Sequence, residues 1–245
     1  MPFLSAGATQ LGPQHAARGE PRQDALAIRH FDYGVLLALA DGAGSASRGG
    51  AGAALAVRTA VQTIGSTQPD GEVLEDAVLA AKAVLDDSAA RHRLNPRDLA
   101  TTLLLVAATP SNAIAAHVGD GAAVLNVNGT WLTLSPPARG LHASTTHFLT
   151  DAEGPELRIT THDAPPTGLA AFTDGIERLV LAEPELTPHA PFFDKMTAPL
   201  RAESGMNGRH HALSRALADY LAAPAVANRS EDDKTLALAV PVAAP

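Results

Sequence analysis

Twice in this chain an apolar run of strand length ends abruptly in Asp-Gly. Val35 to Ala40 runs into Asp41-Gly42, and Leu169 to Phe172 runs through Thr173 into Asp174-Gly175. Each run reads as a buried strand. A carboxylate at its end sits at the rim of a core. The glycine that follows lets the backbone bend and leaves its own carbonyl open to a cation. Either site alone is a common turn, so the constraint comes from recurrence. Asp24 opens an alternating strand, Asp120 interrupts two strands within Gly119-Asp120-Gly121, and Asp232 precedes the last strand. Brought together, such carboxylates repel one another and take up protons unless a cation compensates. Hard divalent cations want oxygen ligands of this kind. Two of them can orient and deprotonate a water for attack on phosphorus.

Composition narrows the choice of cation. Among 245 residues there is no cysteine, which excludes disulfides, thiolate metal sites and a cysteine nucleophile together. A metal must then be held by oxygen or imidazole, which favours Mg²⁺ or Mn²⁺ over structural zinc. The net charge of -8, with no basic block, argues against nucleic acid as a partner. Apolar residues make up 46% and aromatic ones only 4%, so Ala, Leu and Val must fill the core. No apolar run has membrane-spanning length, and the N-terminus lacks a signal peptide pattern. The expectation is a cytoplasmic, monomeric protein with no membrane partner.

In chain order, strands are expected at Phe3 to Thr9, Asp24 to His30 and Val35 to Ala40. The last two are joined by a turn at Asp32 to Gly34, so the hairpin places Asp24 and Asp41 near one end. Helical spacing covers Ala46 to Ile64, closed by Gly65, and a second helix starts at an Asp70 cap and breaks at Asn95-Pro96. Strands follow at Leu99 to Ala108, Asn112 to Val118, Ala122 to Val127 and Trp131 to Leu134, the last two joined by an Asn128-Gly129 turn. Pro136 to Gly154 reads as an irregular connection, and Glu156 to Thr161 as a short strand. Ile176 to Leu181 starts a helix, Pro184 to Pro191 is broken by prolines, and helices cover Phe192 to Glu203 and Arg209 to Leu221. Thr235 to Val240 closes a single domain spanning 1–245, and the tail after it frays. The ten histidines form no metal pattern and read as ordinary side chains.

Six segments carry a family resemblance: Arg-Gln-Asp at 22–24, Ala-Asp-Gly-Ala-Gly at 40–44, Ala-Thr-Thr-Leu at 100–103, His-Val-Gly-Asp-Gly at 117–121, Phe-Thr-Asp-Gly-Ile at 172–176 and Glu-Asp-Asp-Lys-Thr-Leu at 231–236. Their order resembles the metal-dependent protein phosphatases of type 2C, in a compact bacterial form. The resemblance implies an α+β fold of two packed antiparallel β-sheets flanked by α-helices, a four-layer α-β-β-α sandwich. It implies a phosphoserine/phosphothreonine phosphatase working through a water activated between two Mn²⁺ or Mg²⁺ ions. Asp41 would bridge the ions, with the Gly42 carbonyl as a further ligand. Asp174 and Asp232 would complete one ion, and Asp24 would hold metal-bound water. An arginine before the first acidic motif would clamp phosphate, which points to Arg18 ahead of Arg22.

Three departures accompany it. Ala43 stands where many relatives have a histidine that serves as general acid, so the leaving group must be protonated by water or another group. Arg18 and Arg22 both fall near the place of the phosphate-binding arginine, and neither has its ideal spacing; Asp233, in addition, stands where an asparagine is frequent. Arg178 stands where some relatives have an aspartate that holds a third ion with the counterpart of Asp120, which argues against a third ion here, with Glu177 as the nearest substitute. The implied partner is a phosphorylated protein and, behind it, a Ser/Thr kinase. The alternatives are a pseudophosphatase that binds a phosphoprotein without turnover, and a phosphatase fold serving another phosphoester.

Overall fold

A computed structural model describes residues 2–32, 34–138, 146–203 and 205–242. The first half comprises β1 (Phe3–Gln10), α1 (Pro13–Arg18), β2 (Ala25–Phe31), β3 (Gly34–Ala40), α2 (Gly49–Ile64), α3 (Gly71–His92), β4 (Leu103–Ala108) and β5 (Ala113–Val118). The second comprises β6 (Ala122–Val127), β7 (Thr130–Ser135), β8 (Arg158–His162), β9 (Gly168–Phe172), α4 (Glu177–Val180), β10 (Leu181–Ala182), β11 (Thr187–Pro188), α5 (Ala190–Ala202), β12 (Gly208–Arg209), α6 (His211–Ala222), α7 (Pro224–Ala227) and β13 (Lys234–Pro241). Local chemistry sets many of these boundaries. The Asp70 side chain accepts the Val73 N–H at 2.9 Å and caps α3. Asn128 and Gly129, with φ of 51° and 87°, form the turn between β6 and β7.

The strands form a six-stranded sheet in the order β12-β1-β13-β9-β6-β7 and a five-stranded sheet in the order β2-β3-β4-β5-β8. Every pairing within these two sheets is antiparallel except β1 with β12, a two-residue parallel contact. The apolar runs are unbroken because both faces of the central strands are covered. In β3, Leu36, Ala38 and Ala40 pack against α2 and α3, while Val35, Leu37 and Leu39 face the other sheet. In β13, Leu236, Leu238 and Val240 face α4 to α7, while Ala237 and Ala239 face inward. The result is the expected order of layers: helices, sheet, sheet, helices. Among the described residues no helix is long and apolar enough to cross a membrane.

Several expected elements differ. The strand expected from Leu99 starts at Leu103. Asn95 and Asp98 instead form a reciprocal cap on a 3₁₀ turn over Pro96–Leu99. Ala100 to Thr102 then runs alongside the Asp41-Gly42 bend, with a single bridge between Gly42 and Thr101. The helix expected from Arg209 starts at His211, because His210 Nδ1 accepts the Leu213 N–H at 3.1 Å and Arg209 pairs with β1. At Ile176 to Leu181 only one helical turn forms, and the chain then folds into the β10-β11 hairpin. Helix α1, only six residues long, is too short to show a periodicity. In the connection at 136–154, residues 139–145 lie outside the described set, as do Tyr33 of the first turn and tail residues 243–245. Leu149 of that connection is fully buried and donates its N–H to Thr101 O at 2.9 Å.

One glycine fixes how α2 meets the site-bearing end. A Cβ on Gly52 would lie 2.2 Å from the Leu99 carbonyl oxygen. Alanine is the better helix former by about 1 kcal/mol, but here the backbone contact outweighs propensity. Gly52→Ala is expected to destabilise the protein by about 2 kcal/mol, lowering Tm by roughly 4–8 °C. Thermal unfolding checks this; an unchanged or higher Tm would show that α2 moves away at no cost.

Candidate metal centre and cleft

Strand register carries the carboxylates to one end of the sandwich. Ala25 pairs with Ala40, so Asp24 and Asp41 extend the same hairpin end. Leu103 pairs with Val118, so Thr101-Thr102 and Gly119-Asp120 lie beside them. In the other sheet Phe172 pairs with both Ala122 and Leu236, which sets Asp174, Gly121 and Asp232-Asp233 at the matching end. Gly119-Asp120-Gly121 is where the chain crosses from one sheet to the other.

The backbone of Asp41 is gripped from both sides. Its N–H donates to Thr102 Oγ1 at 2.9 Å, and its carbonyl accepts from Thr101 Oγ1 and the Thr102 N–H, each at 2.8 Å. The Gly42 N–H donates to Gln23 O at 3.2 Å. With its NH₂ turned to the bend, the Gln23 side chain donates to Gly42 O at 2.7 Å and Ala43 O at 3.2 Å.

Burial and crowding dominate the electrostatics. Burial pushes the Asp24 carboxyl up to about 7, with Asp233 and Asp232 adding to the rise. The Thr235 and Thr173 hydroxyls, donating to Asp24 Oδ2 at 2.6 and 2.8 Å, oppose it. Asp174 is likewise pushed to about 7 by burial and then by Asp120 and Asp232, while a hydrogen bond with Asp41 pulls it back. Asp41 is held well above the usual carboxylate range by burial and by Asp24, Asp174, Asp232 and Asp120. Lys234 lies beneath them, and its Nζ donates to Asp232 O at 2.8 Å. Burial lowers its pKa, and Asp232, Asp233 and Asp24 counter that. His117, behind the crossing loop, is pushed down to about 3 by burial and by Arg158, whose guanidinium donates to its Nδ1 at 3.1 Å.

Above the carboxylates lies a cleft of about 270 Å³ lined by Arg18, Asp41, Gly42, Asp174 and Asp232, together with His15 and Ala43. Asp24 lies beneath it. Arg22 points elsewhere, its Nε donating to Asp24 O at 3.1 Å. A wider cavity of about 830 Å³ shares Asp120, Asp174 and Asp232 and adds Glu177 and Arg178. The Asp120 carboxylate accepts the Thr146 hydroxyl at 2.5 Å. Three groups lie here to which sequence reasoning gave no role in the site: His15 in the cleft, Gln23 on the Asp-Gly bend, and Asp233 as an anchor. Asp233 Oδ1 accepts the Gly12 N–H at 2.7 Å and Oδ2 the Gln23 N–H at 2.5 Å. The one available signal was the spacing of His15 and Arg18, three residues apart and so on one helix face.

The donor set suits a hard cation. Asp24 Oδ1 and Asp174 Oδ1 are buried without a hydrogen-bond partner, the condition a cation would relieve. Among the described residues no three His, Asp or Glu side chains converge at ready-made metal geometry. Asp41 and Asp174 instead lie side by side, and their mutual interaction offsets part of the rise at Asp174.

A family profile described as Protein phosphatase 2C matches residues 11–222. Serine/threonine-protein phosphatase 3 of Escherichia coli (strain K12) is 37% identical over 246 residues, covering 95% of this chain and 96% of that one. The serine/threonine phosphatase PstP/Ppp of Mycobacterium tuberculosis superposes with a TM-score of 0.69 at 18% identity, covering 99% of this chain and 100% of that one. PppA of Pseudomonas aeruginosa, a key regulatory component of T6SS, superposes with a TM-score of 0.68 at 18% identity over 98% and 97%. These two likenesses concern the fold.

The raised carboxyl groups make stability depend on pH. Native Asp24 and Asp174 keep protons up to about pH 7, whereas the unfolded chain releases them near 3.8. The native state then binds more protons between those values, and its stability falls as pH rises. With divalent cations chelated, Tm is expected to drop by about 5 °C or more from pH 5.5 to 8. Scanning fluorimetry across that window checks it; a Tm that climbs would contradict the assignment.

Proposed function

We propose that this chain, which belongs to the protein phosphatase 2C family and is a protein-serine/threonine phosphatase, hydrolyses its phosphoprotein substrates with divalent cations held at the carboxylate end of its sandwich. One observation carries the reading: strand ends from two sheets deliver Asp24, Asp41, Asp174 and Asp232 to one place, and two of their buried oxygens lack a partner. Asp41, Asp174, Asp232 and the Gly42 carbonyl would hold two Mn²⁺ or Mg²⁺ ions, with Asp24 beneath. Bound there, the ions supply Lewis-acid stabilisation and a water acidic enough to attack phosphorus near neutral pH.

The chain's own groups supply position. Gln23, Thr101 and Thr102 fix the Asp41-Gly42 bend, so the carbonyl and carboxylate hold their directions without reorganising. Arg18 lines the cleft, more than half exposed and 3.9 Å from the Glu20 carboxylate, and its guanidinium can fork onto phosphate oxygens. Asp120, hydrogen-bonded to Thr146 and sharing its cavity with Arg178, stays outside the core pair, and no third ion is needed. The same reading takes 1–245 as one catalytic domain, acting as a cytoplasmic monomer opposite a Ser/Thr kinase.

Activity on an aryl phosphate and a phosphoserine peptide should require added Mn²⁺ or Mg²⁺, vanish with chelator, and be accompanied by a cation-dependent rise in Tm at pH 8. Full activity after exhaustive chelation would sink the metal reading. Asp41→Ala and Asp174→Ala should each lower kcat/KM by on the order of 10³ or more, and Asp120→Ala by less than about tenfold. An equally dead but folded Asp120→Ala would show that Asp120 belongs to the core. Arg18→Ala should raise KM by roughly tenfold with cation affinity intact. Wild-type kinetics in that variant would remove Arg18 from the clamp.

A further inference from the structure

Hydrolysis of a phosphoserine makes a demand that ionised carboxylates do not meet. When the bond from phosphorus to the side-chain oxygen breaks, its electron pair goes to an alkoxide, which leaves poorly unless a proton arrives with it. Carboxylates engaged as anionic ligands have no proton to give, and Asp120, which lines the cleft outside that set, serves as acceptor to the Thr146 hydroxyl. Arg18 lines the cleft but does not release its proton. Of the two threonines there, Thr102 already takes the Asp41 N–H on its hydroxyl oxygen, and Thr146 donates to Asp120. His15 remains, the one imidazole among the described residues of this lining.

His15 is held as a working group is held. It is 5% exposed, and its Nδ1 lies 3.1 Å from Asp233 Oδ1, close enough to pair as charges but off the line of a hydrogen bond, so that this buried nitrogen has no hydrogen-bond partner. Asp233 is 1% exposed and is fixed on both oxygens by the backbone N–H groups of Gly12 and Gln23. A buried carboxylate locked by amides, with an imidazole 3.1 Å away and a reactive cleft in front, resembles the arrangement in which a third group orients a proton-transfer side chain, and a small turn of the imidazole would complete the hydrogen bond. The other charges facing His15 are Glu20, whose carboxylate is 4.0 Å from Nε2, and Arg18, which shares that carboxylate at 3.9 Å.

We infer that His15 is the general acid of this phosphatase, oriented by Asp233. Water adds to phosphorus and gives up one proton to solvent, and the bond to the serine or threonine oxygen breaks. The electron pair of that bond takes the proton of His15, so the side chain leaves as an alcohol alongside inorganic phosphate. The neutral imidazole regains a proton from solvent. This assignment rests on the phosphatase reading above and adds to it the source of the leaving-group proton.

The test compares two leaving groups on the Mn²⁺-loaded protein. A phosphoserine peptide needs the proton, whereas 4-nitrophenyl phosphate releases a stable anion without it. His15→Gln is expected to lower kcat/KM for the peptide by about 10² or more and for the nitrophenyl ester by less than about tenfold, with Tm and calorimetric Mn²⁺ affinity unchanged. Equal losses on both substrates, or none on either, overturn the inference and leave the phosphatase reading standing. A wild-type protein inactive on both esters overturns that reading, and the inference with it. A second measurement needs no variant: across substituted phenyl phosphates, wild-type kcat/KM should fall only shallowly as the leaving group becomes more basic. A steep fall shows that no proton is delivered and overturns the assignment.

Discussion

Strands covered on both faces leave an ionised side chain nowhere to sit except at their ends. That constraint organises this molecule. β3, β4, β9 and β13 are buried along nearly their whole length, with helices on one side and a second sheet on the other. Charge is therefore expelled to the ends, and antiparallel register decides which end each residue joins. At the end described here the fold gathers carboxylates that raise one another's pKa. Crowded in this way the carboxylates are under electrostatic stress, and bound cations would relieve it.

Much of the fold was legible because burial on two faces writes a plain pattern. Leu99 to Ala108 and Leu169 to Phe172 need no periodicity to be read, since a short apolar run rich in Leu, Val and Thr between turn residues fits a buried strand. The Asp70 cap and the Asn128-Gly129 turn were readable for the same reason: each is a local hydrogen-bond or dihedral requirement with few chemical solutions. The departures fall where distant backbone takes over. Leu99 to Thr102 has strand composition, yet the carbonyl of Leu99 meets Gly52 of α2, and Thr101 and Thr102 are recruited to hold Asp41. Arg209 looks like the start of a helix but, with Gly208, pairs with β1 across two hundred residues of chain.

The acidic residues could be chosen from sequence because each sits beside a strand and a glycine. His15, Gln23 and Asp233 could not, because their importance comes from one long-range pairing. Gln10 of β1 lies opposite Lys234 of β13. That pairing sets the turn at Gly12 and the start of α1 beside Asp233, and no local pattern around residue 15 foretells it. Three residues separate His15 from Arg18, but in a six-residue helix that spacing carries little weight until the neighbour across the sheet is known.

The two halves of the acidic set stand on different sheets. Asp24 and Asp41 belong to the five-stranded sheet, Asp174 and Asp232 to the six-stranded one. Between them runs a layer of side chains, Leu37, Leu39, Leu104 and Val106 against Leu125, Leu169, Ala171, Ala237 and Ala239. Layers packed to this density neither compress nor swell freely. The breadth of the mouth is thus gauged by methyl and isobutyl groups that touch nothing reactive. The small alanines on one side of the layer work as shims, and exchanging one for valine would wedge the jaws apart at their root.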